Sequence, residues 1–508
     1  MPEDGGGWLA SPEDTRALLE ASDSLSRQVA DLVAELPFGE PPTLADVQRA
    51  LPAPDLRGQH VPQPEGPGVD IVYLDTLTDD RRLWQEVVQP LVAGTLRPES
   101  LPKAQQVRNL DDLRHRLLLG GVVLLPPGGL PLGISMEGVQ QRVVGEPTTE
   151  REVIGPKEGF VENFQINIGL IRNRLRDPSL RIEYHTVGRR SRTRVAMVYL
   201  ADVARPALVQ RARAGLRTIA IDFVRTAMDV AELTFQHGWS VFPLVEQTER
   251  PDRVTRGLSL GRLALVVEGA PFVLLVPVTF FALQHDGEGA LPGPGVSLFI
   301  RLLRISGLFL ALALPGLYVA VLGANPLMMP VPLTITLAAA RFAIPYPVAT
   351  EVVLMMLVAD ILAEATAQSA SAIGNALSIV GTLIVGQLMV QAHLASTLLM
   401  IVVAASLMGS FLTLKFPLSY SLRIWKYGLV LLAGVGGLLG WFIGLLAMLV
   451  HLASLESAGV PYLAPLAAAK SPAAVARAVV KPSRGKIRLR PAEYRPRQSV
   501  AARRRGRR

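Results

Sequence analysis

The chain has no cysteine among its 508 residues. Disulfides, thiolate metal centres and cysteine nucleophiles are therefore excluded, and the redox state of its surroundings leaves no mark on it. Charge is also sparse: Asp, Glu, Lys and Arg make up 19% of the residues while half are apolar, which points to a membrane-embedded part. Acid is almost missing from the C-terminal end. Residues 470–508 hold fourteen basic residues and one acid, Glu493, whereas residues 1–469 hold 37 basic against 42 acidic ones, so the net charge of +8 resides in a tail. The opening "MPEDGGGWLASPEDTRALL" is acidic where a signal peptide is basic, so export with cleavage is not expected. A phosphate loop of the GxxxxGK[ST] type is lacking too, and His185, His237 and His451 stand apart. The expectation is a non-enzyme without cofactor or metal, in which the glycines of "GGVVLLPPGG" form turns.

What is present falls into segments. Residues 1–66 alternate short helix-like runs, such as Thr15–Leu36, with Pro- and Gly-rich links, and are expected to form a flexible N-terminal extension. Two later stretches read alike: "VDIVYLDTLTDDRRLWQEVVQPL" and "TRVAMVYLADVARPALVQRARAGL" each give an apolar strand, a turn and an amphipathic helix, with IVYL at 71–74 answered by MVYL at 197–200. Setting Gly120 on Gly261 aligns "LLGGVVLLPPGGLPLGI" with "SLGRLALVVEGAPFVLLV" without a gap. Two related α/β lobes are expected, at 67–150 and 195–290. The repeat also decides how Leu263–Leu283 is read. By hydropathy these 21 residues with one charge, Glu268, pass for a transmembrane helix, but the counterpart is short and rich in Pro and Gly, so both are read as paired strands around a tight turn.

Between the lobes, residues 151–194 form a basic connector; Gly155–Val195 carries nine Lys and Arg against four acids. Pro156 suits a first helical turn, Glu158 its positive end, and Val161, Phe164, Ile168, Ile171 and Leu175 make an apolar stripe that Asp177-Pro178 ends. An amphipathic helix is expected there.

Residues 297–455 read as an all-α transmembrane domain with four spans: Phe299–Leu322, Ile373–Ala392, Leu394–Leu414 and Tyr427–Val450. "LMMPVPLTITLAAA" is too short to cross upright, and Pro347–Thr366 carries Glu351, Asp360 and Glu364; both look re-entrant or interfacial, with two short crossings as the alternative. Arg301, Arg304 and the basic tail at 456–508 favour the cytoplasmic side, which places both termini inside and leaves Lys415, Arg423 and Lys426 outside. The fold class is thus an α/β cytoplasmic region of two related lobes followed by a helical membrane domain.

"GPKEGFVENFQINIGLIRNRLRDPSLRIE", "GRRSRTRVAMVYL", "FPLVEQTERPDRV", "EGAPFVLLVP" and "HLASLESAGVPYLAPLA", in this order between Val69 and Ala468, resemble the GerA family of bacterial spore germination proteins, A-type subunit. The resemblance implies a subunit of a nutrient-responsive germinant receptor in the spore inner membrane. It further implies a transporter-like B subunit and a lipid-anchored C subunit as partners, and a homo-oligomeric ring that conducts ions when germinant binds. A close relative, the accessory protein encoded with the dipicolinate-channel proteins, shares the motifs and amplifies ion release without sensing nutrients. A secondary transporter is the reading from another class; it would need inverted repeats in the membrane half, where none is found.

Against that background three groups of residues are candidates. Arg172, Arg174, Arg176, Arg189, Arg190 and Arg192 suit a subunit interface, with Glu249 and Asp252 as carboxylate partners; ordinary solvated charge and a lipid surface compete with it, while nucleic acid is disfavoured for want of interleaved aromatics. Asn375, Ser378, Thr382 and Gly386 put a slender polar face on one span, with Val385 and Met389 as bulky neighbours: pore lining, or close helix packing. Asp360 and Glu364 share a helix face and could concentrate cations at a pore mouth.

Overall fold

Gly121–Leu125 and Leu263–Val267 are buried at every position, without polar alternation, because helices cover both faces of their sheets. That is why a hydropathy window mistakes such a strand for a membrane span. The computed structural model describes residues 37–64, 67–95, 98–101, 104–136, 145–147, 149–150, 155–235, 240–284, 294–368, 385–412, 416–467, 490–498 and 500. The first lobe runs α1 (Leu44–Ala50), β1 (Leu56–Val61), β2 (Val69–Leu74), α2 (Asp80–Val92), β3 (Gln105–Gln106), α3 (Leu110–Leu118), β4 (Gly121–Leu125) and β5 (Leu132–Ser135). The second runs α4 (Phe164–Arg174), β6 (Leu180–Val187), β7 (Thr193–Leu200), α5 (Pro206–Thr218), α6 (Ala227–Phe235), β8 (Glu246–Thr248), α7 (Pro251–Ser259), β9 (Leu263–Val267) and β10 (Val273–Val276).

The two antiparallel sheets have the same order, β1-β2-β4-β5-β3 and β6-β7-β9-β10-β8. Each is a middle layer. Val195, Met197, Leu263 and Leu265 pack with α5 and α6 on one face, and Ala196, Val198, Ala264 and Val266 pack with α4 and α7 on the other. The glycines used to align the repeat do the same work in both copies. Gly120 (φ 81°) and Gly261 (φ 91°) end α3 and α7 in the left-handed conformation that a Cβ disfavours. Leu263–Leu283 contains β9 and β10 paired in register, Val273 opposite Val266, and its one charge, Glu268, sits in the turn against Arg194 Nε at 3.0 Å.

Two expectations about the α/β part are corrected. The stretch 1–66 is not wholly a loose extension: β1 is an edge strand of the first sheet and α1 packs against it, burying Val47, Leu51 and Val61, and Thr43 with Asp46 forms a capping box. The connector helix starts at Phe164, capped by the Asn163 side chain, rather than at Pro156. Asn167, Gly169, Leu170 and Arg172 are buried along with the apolar stripe, so α4 lies between the lobes instead of presenting an amphipathic face. Gly169 abuts the Thr76 carbonyl, and Arg172 Nη2 meets Asp55 Oδ1 at 2.7 Å with both side chains about 1% exposed. Thr76 Oγ1 donates to the second Asp55 oxygen at 2.6 Å.

The helical half comprises α8 (Phe280–Gln284), α9 (Pro294–Leu312), α10 (Leu314–Val319, prolonged by a π turn to Ala324), α11 (Val331–Arg341), α12 (Val348–Gln368), α13 (385–391), α14 (Thr397–Phe411) and α15 (Phe416–Ser454). By length and composition Gly295–Leu312 and Pro417–Ser454 are long and apolar enough to cross a membrane. The expected span Phe299–Leu322 is interrupted at Ala313, because Pro315 has no N–H for the Ala311 carbonyl. Ser406 Oγ donates to that carbonyl instead, at 2.9 Å. The expected span Leu394–Leu414 reduces to the 15 residues of α14, whereas Pro347–Thr366 falls on one continuous helix, the 21 residues of α12. Tyr427–Val450 is not one rod: Gly437 (φ 57°, ψ −139°) breaks α15 into two legs.

Lobe and bundle are joined by hydrogen bonds: Ser421 Oγ donates to Val241 O (2.6 Å), Ser457 Oγ donates to Leu244 O (2.6 Å) and accepts from Val278 N, and Phe280 N donates to Tyr462 O. The stretch 456–508, expected as a basic tail, begins with a two-strand ladder at Glu456–Ser457 and Val460–Pro461. Residues 490–498 return to the second lobe, with Arg490 Nε donating to Ser259 O and Arg497 N to Val203 O, and Tyr494 buried beside the Arg262 guanidinium.

Removing one partner of the Asp55–Arg172 pair strands a buried charge, so Asp55→Ala should cost about 3–5 kcal/mol, and the double variant Asp55→Leu, Arg172→Met should recover most of it. Thermal unfolding of the full chain in detergent measures both; equal losses for single and double variants would count against the pair. A second expectation concerns acid. Hydrogen bonds from Arg213 to Glu183, and from Arg194 to Glu268, hold both carboxyls below the ordinary range. Their stabilisation is then complete above a glutamate's usual value of about 4.3 and is lost as pH falls through the lower folded values, so Glu183→Gln with Glu268→Gln should flatten the fall of the unfolding midpoint below about pH 4.

Candidate functional site: paired charges inside the helical half

The charged residues of helix α12 are three acids, and a carboxylate among apolar helices needs a partner. Asp360 and Glu364, one turn apart, face the first leg of α15, which supplies Tyr420, Arg423, Lys426 and Tyr427 at helical spacing. Lys426 Nζ lies 3.4 Å and Arg423 Nε 3.7 Å from Asp360, whose strongest contact is the Tyr427 hydroxyl, donating at 2.8 Å. Glu364 accepts from the Tyr420 hydroxyl at 3.0 Å, with Arg423 Nη1 at 3.9 Å. Two acids thus balance two bases. Asp360, Arg423 and Lys426 border a cleft shared with Ala311, Met356, Ser406 and Ser410. The carboxylates are therefore engaged by cations and hydroxyls of their own chain, and the ion pairs are long enough that small helix shifts alter them.

The third acid of α12, Glu351, has no exposed surface. Its Oε1 accepts the Ser396 N–H at 2.7 Å and its Oε2 meets Arg341 Nη2 at 3.1 Å. Ser396 is the N-cap of α14, and its hydroxyl also touches the Tyr318 hydroxyl at 3.2 Å. Glu351 thereby ties the end of α11 to the turn between α13 and α14. Sequence reasoning did not single out this role; the available signal was the first acid of a largely apolar helix, ten residues after a lone arginine.

Of the expected pore face, Asn375, Ser378 and Thr382 lie outside the described residues. Val385, Gly386 and Met389 are on α13; Met389 packs against the bundle core, and a Cβ on Gly386 would come within 2.9 Å of Met400 Cε, so this end lies along α14.

The arginine-rich stretch divides. Arg172 is the buried partner of Asp55 and is removed from any surface, a correction to its place among the interface residues. Arg174 pairs with Glu158 at 2.7 Å and Arg176 donates to Asn173 Oδ1. Glu249 is buried and accepts the Thr149 N–H, while Asp252 takes both Arg250 Nε and Nη2, so these two carboxylates are engaged inside their own chain. Exposed Arg189 and Arg190, 3.8 and 3.6 Å from Asp222, and Arg192 gather at the β6–β7 turn.

A double-mutant cycle on Asp360→Asn and Lys426→Met should give a coupling of about 1–3 kcal/mol, and Tyr427→Phe alone a loss of about 1–2 kcal/mol, in thermal unfolding of the full chain. Strict additivity would mean that the cluster does not hold α12 to α15.

Comparison with known proteins covers both halves. The family model described as Bacillus/Clostridium GerA spore germination protein matches residues 55–493. Spore germination protein KA of Bacillus subtilis (strain 168) is 31% identical over 414 residues, covering 78% of this chain and 75% of that one. The uncharacterized membrane protein YfkQ of the same strain is 34% identical, covering 77% and 75%, and its stage V sporulation protein AF is 29% identical, covering 72% and 74%. Among solved structures, the N-terminal domain of the A subunit of the Bacillus megaterium spore germinant receptor GerK3 aligns with 22% identity and a TM-score of 0.37, over 48% of this chain and 99% of that one. The chain belongs to the GerA family of spore germination proteins.

Proposed function

We propose that this chain is the A-type subunit of a spore germinant receptor, a multi-pass protein of the spore inner membrane with both termini on the cytoplasmic side. The observation that carries this reading is the family match along residues 55–493, which takes in the two sheets, the helical bundle and the start of the returning C-terminal segment. In this role the chain works beside a transporter-like B subunit and a lipid-anchored C subunit. Copies of it assemble into a ring, with Arg189, Arg190 and Arg192 at the subunit contact, and the ring passes ions when germinant binds. Asn375, Ser378, Thr382, Val385, Gly386 and Met389 line the path. The Asp360–Lys426 cluster and the Glu351 anchor hold the helices beside it, since paired charges in an apolar bundle favour one helix arrangement over another.

The similarity to stage V sporulation protein AF supports a second reading, an accessory subunit that speeds ion release without recognising a nutrient. Germination of spores lacking the chain separates the two: loss of the response to one nutrient fits a receptor, and a slower response to every nutrient fits the accessory role. For conduction, Val385→Ala or Met389→Ala at matched protein levels should release ions without germinant, because trimming a hydrophobic constriction wets it. If scanning 373–392 yields no leaky variant, another segment or another protein conducts.

A further inference from the structure

Gly437 sits in the middle of α15 with φ 57° and ψ −139°, a conformation open in practice only to glycine, and a Cβ there would meet Ala324 and the Asn325 side chain. After it the chain returns along itself. A Cβ on Gly440 would strike the Leu432 carbonyl, a Cβ on Gly444 would lie 2.7 Å from Leu429 Cδ2, and the rings of Trp425 and His451 are 5.5 Å apart. In a straight helix Leu429 and Gly444 would be separated by about 22 Å. Both feet of the hairpin stand on the second lobe, through Ser421 on Val241 and Ser457 on Leu244. The turn is therefore the end farthest from that lobe.

Three observations say what surrounds it. Each leg measures about 24–25 Å from foot to turn at 1.5 Å per residue, short of a hydrocarbon core of about 30 Å. Between Tyr427 and Val450 there is no Asp, Glu, Lys or Arg, and the turn shows its surroundings Val435, 93% exposed, and Leu439, 70% exposed. A turn emerging among far-side headgroups would carry polar side chains. Finally, a break inside hydrocarbon strands backbone donors unless the protein supplies acceptors, and Asn325 Oδ1 accepts the Leu438 N–H at 3.1 Å.

We propose that Tyr427–Val450 is a re-entrant hairpin. It enters the membrane on the side of the second lobe, turns at Gly437 within the lipid hydrocarbon and leaves on the side it entered. Lipid tails cover Val435 and Leu439, and Asn325 positions the turn. This rests on the membrane placement given under the proposed function, and it lets residues 490–498 reach the second lobe without a further crossing.

The cysteine-free full chain permits a direct test in proteoliposomes. Leu429→Cys with Gly444→Cys should be joined within one chain by a short bismaleimide, scored by mass; absence of the link overturns the hairpin. A bimane label placed on Val435→Cys or Leu439→Cys before reconstitution should be quenched by lipids brominated deep in the acyl chain and not by aqueous iodide on either side. Iodide quenching from the far side would mean that the turn crosses, and protection from both quenchers would mean that protein covers it; either result overturns the proposal. Asn325→Leu should reduce the 429–444 link several-fold while Asn325→Asp, which keeps an oxygen acceptor, retains it; a link indifferent to both removes Asn325 from the turn. Flotation of the chain with vesicles is scored separately. A chain that forms the link but does not float overturns the membrane placement, whereas one that floats without the link overturns only the hairpin.

Discussion

Polar groups carried into an apolar interior must find partners there, and most of this chain's architecture follows from where they find them. Arg172 is carried between the lobes on α4 and meets Asp55. Arg262 is buried beside Glu246 at 2.7 Å and donates to the carbonyls of Pro277 and Leu275. In the bundle, Glu351 holds a helix start and Asp360 holds two cations and a hydroxyl, while the freed Ala311 carbonyl and Leu438 N–H take Ser406 and Asn325. Each of these joins segments distant in the chain. The pairs decide how elements are arranged more than they add stability, because a buried pair largely offsets its own desolvation.

The two lobes use one plan for different surroundings. In the first, Phe38 N donates to Arg108 O beside β3; in the second, Phe160 N donates to Glu249 O beside β8, so the segment leading into each lobe runs along its last-paired strand. Among the described residues it is the second lobe that carries the bundle, through Val241, Leu244, Val278 and Phe280, and that receives the returning C-terminal segment, at Ser259 and Val203. Movement of that lobe would be felt at both feet of the α15 hairpin, and from there at Arg423 and Lys426. The geometry thus links the second lobe to the paired charges through serine hydroxyls on its backbone carbonyls and short helical distances.

Much of this was legible from residue order. The repeat of IVYL and MVYL and the Gly120–Gly261 alignment pointed to two related lobes, since apolar strand runs and turn glycines are local demands, and the two sheets share one strand order. The polar and acidic residues of the helical segments were visible as well. Their partners were not. Asp55 is 117 residues from Arg172, and Asp360 is 66 from Lys426; periodicity within one segment carries no information about which distant segment will face it. The same limit placed Arg172 on a surface, read α15 as one span and started α4 eight residues early.

By itself, then, the sequence determined the family, the two α/β copies, the apolar bundle and the absence of any thiol chemistry, because each is written in local pattern or composition. Tertiary structure alone decided which charges are spent inside the chain, that residues 44–61 belong to the first lobe, and that α15 doubles back at Gly437. Those outcomes depend on packing between remote segments. A glycine permits a reversal, but only the Asn325 side chain, brought from a neighbouring helix, supplies the acceptor that the reversed backbone requires.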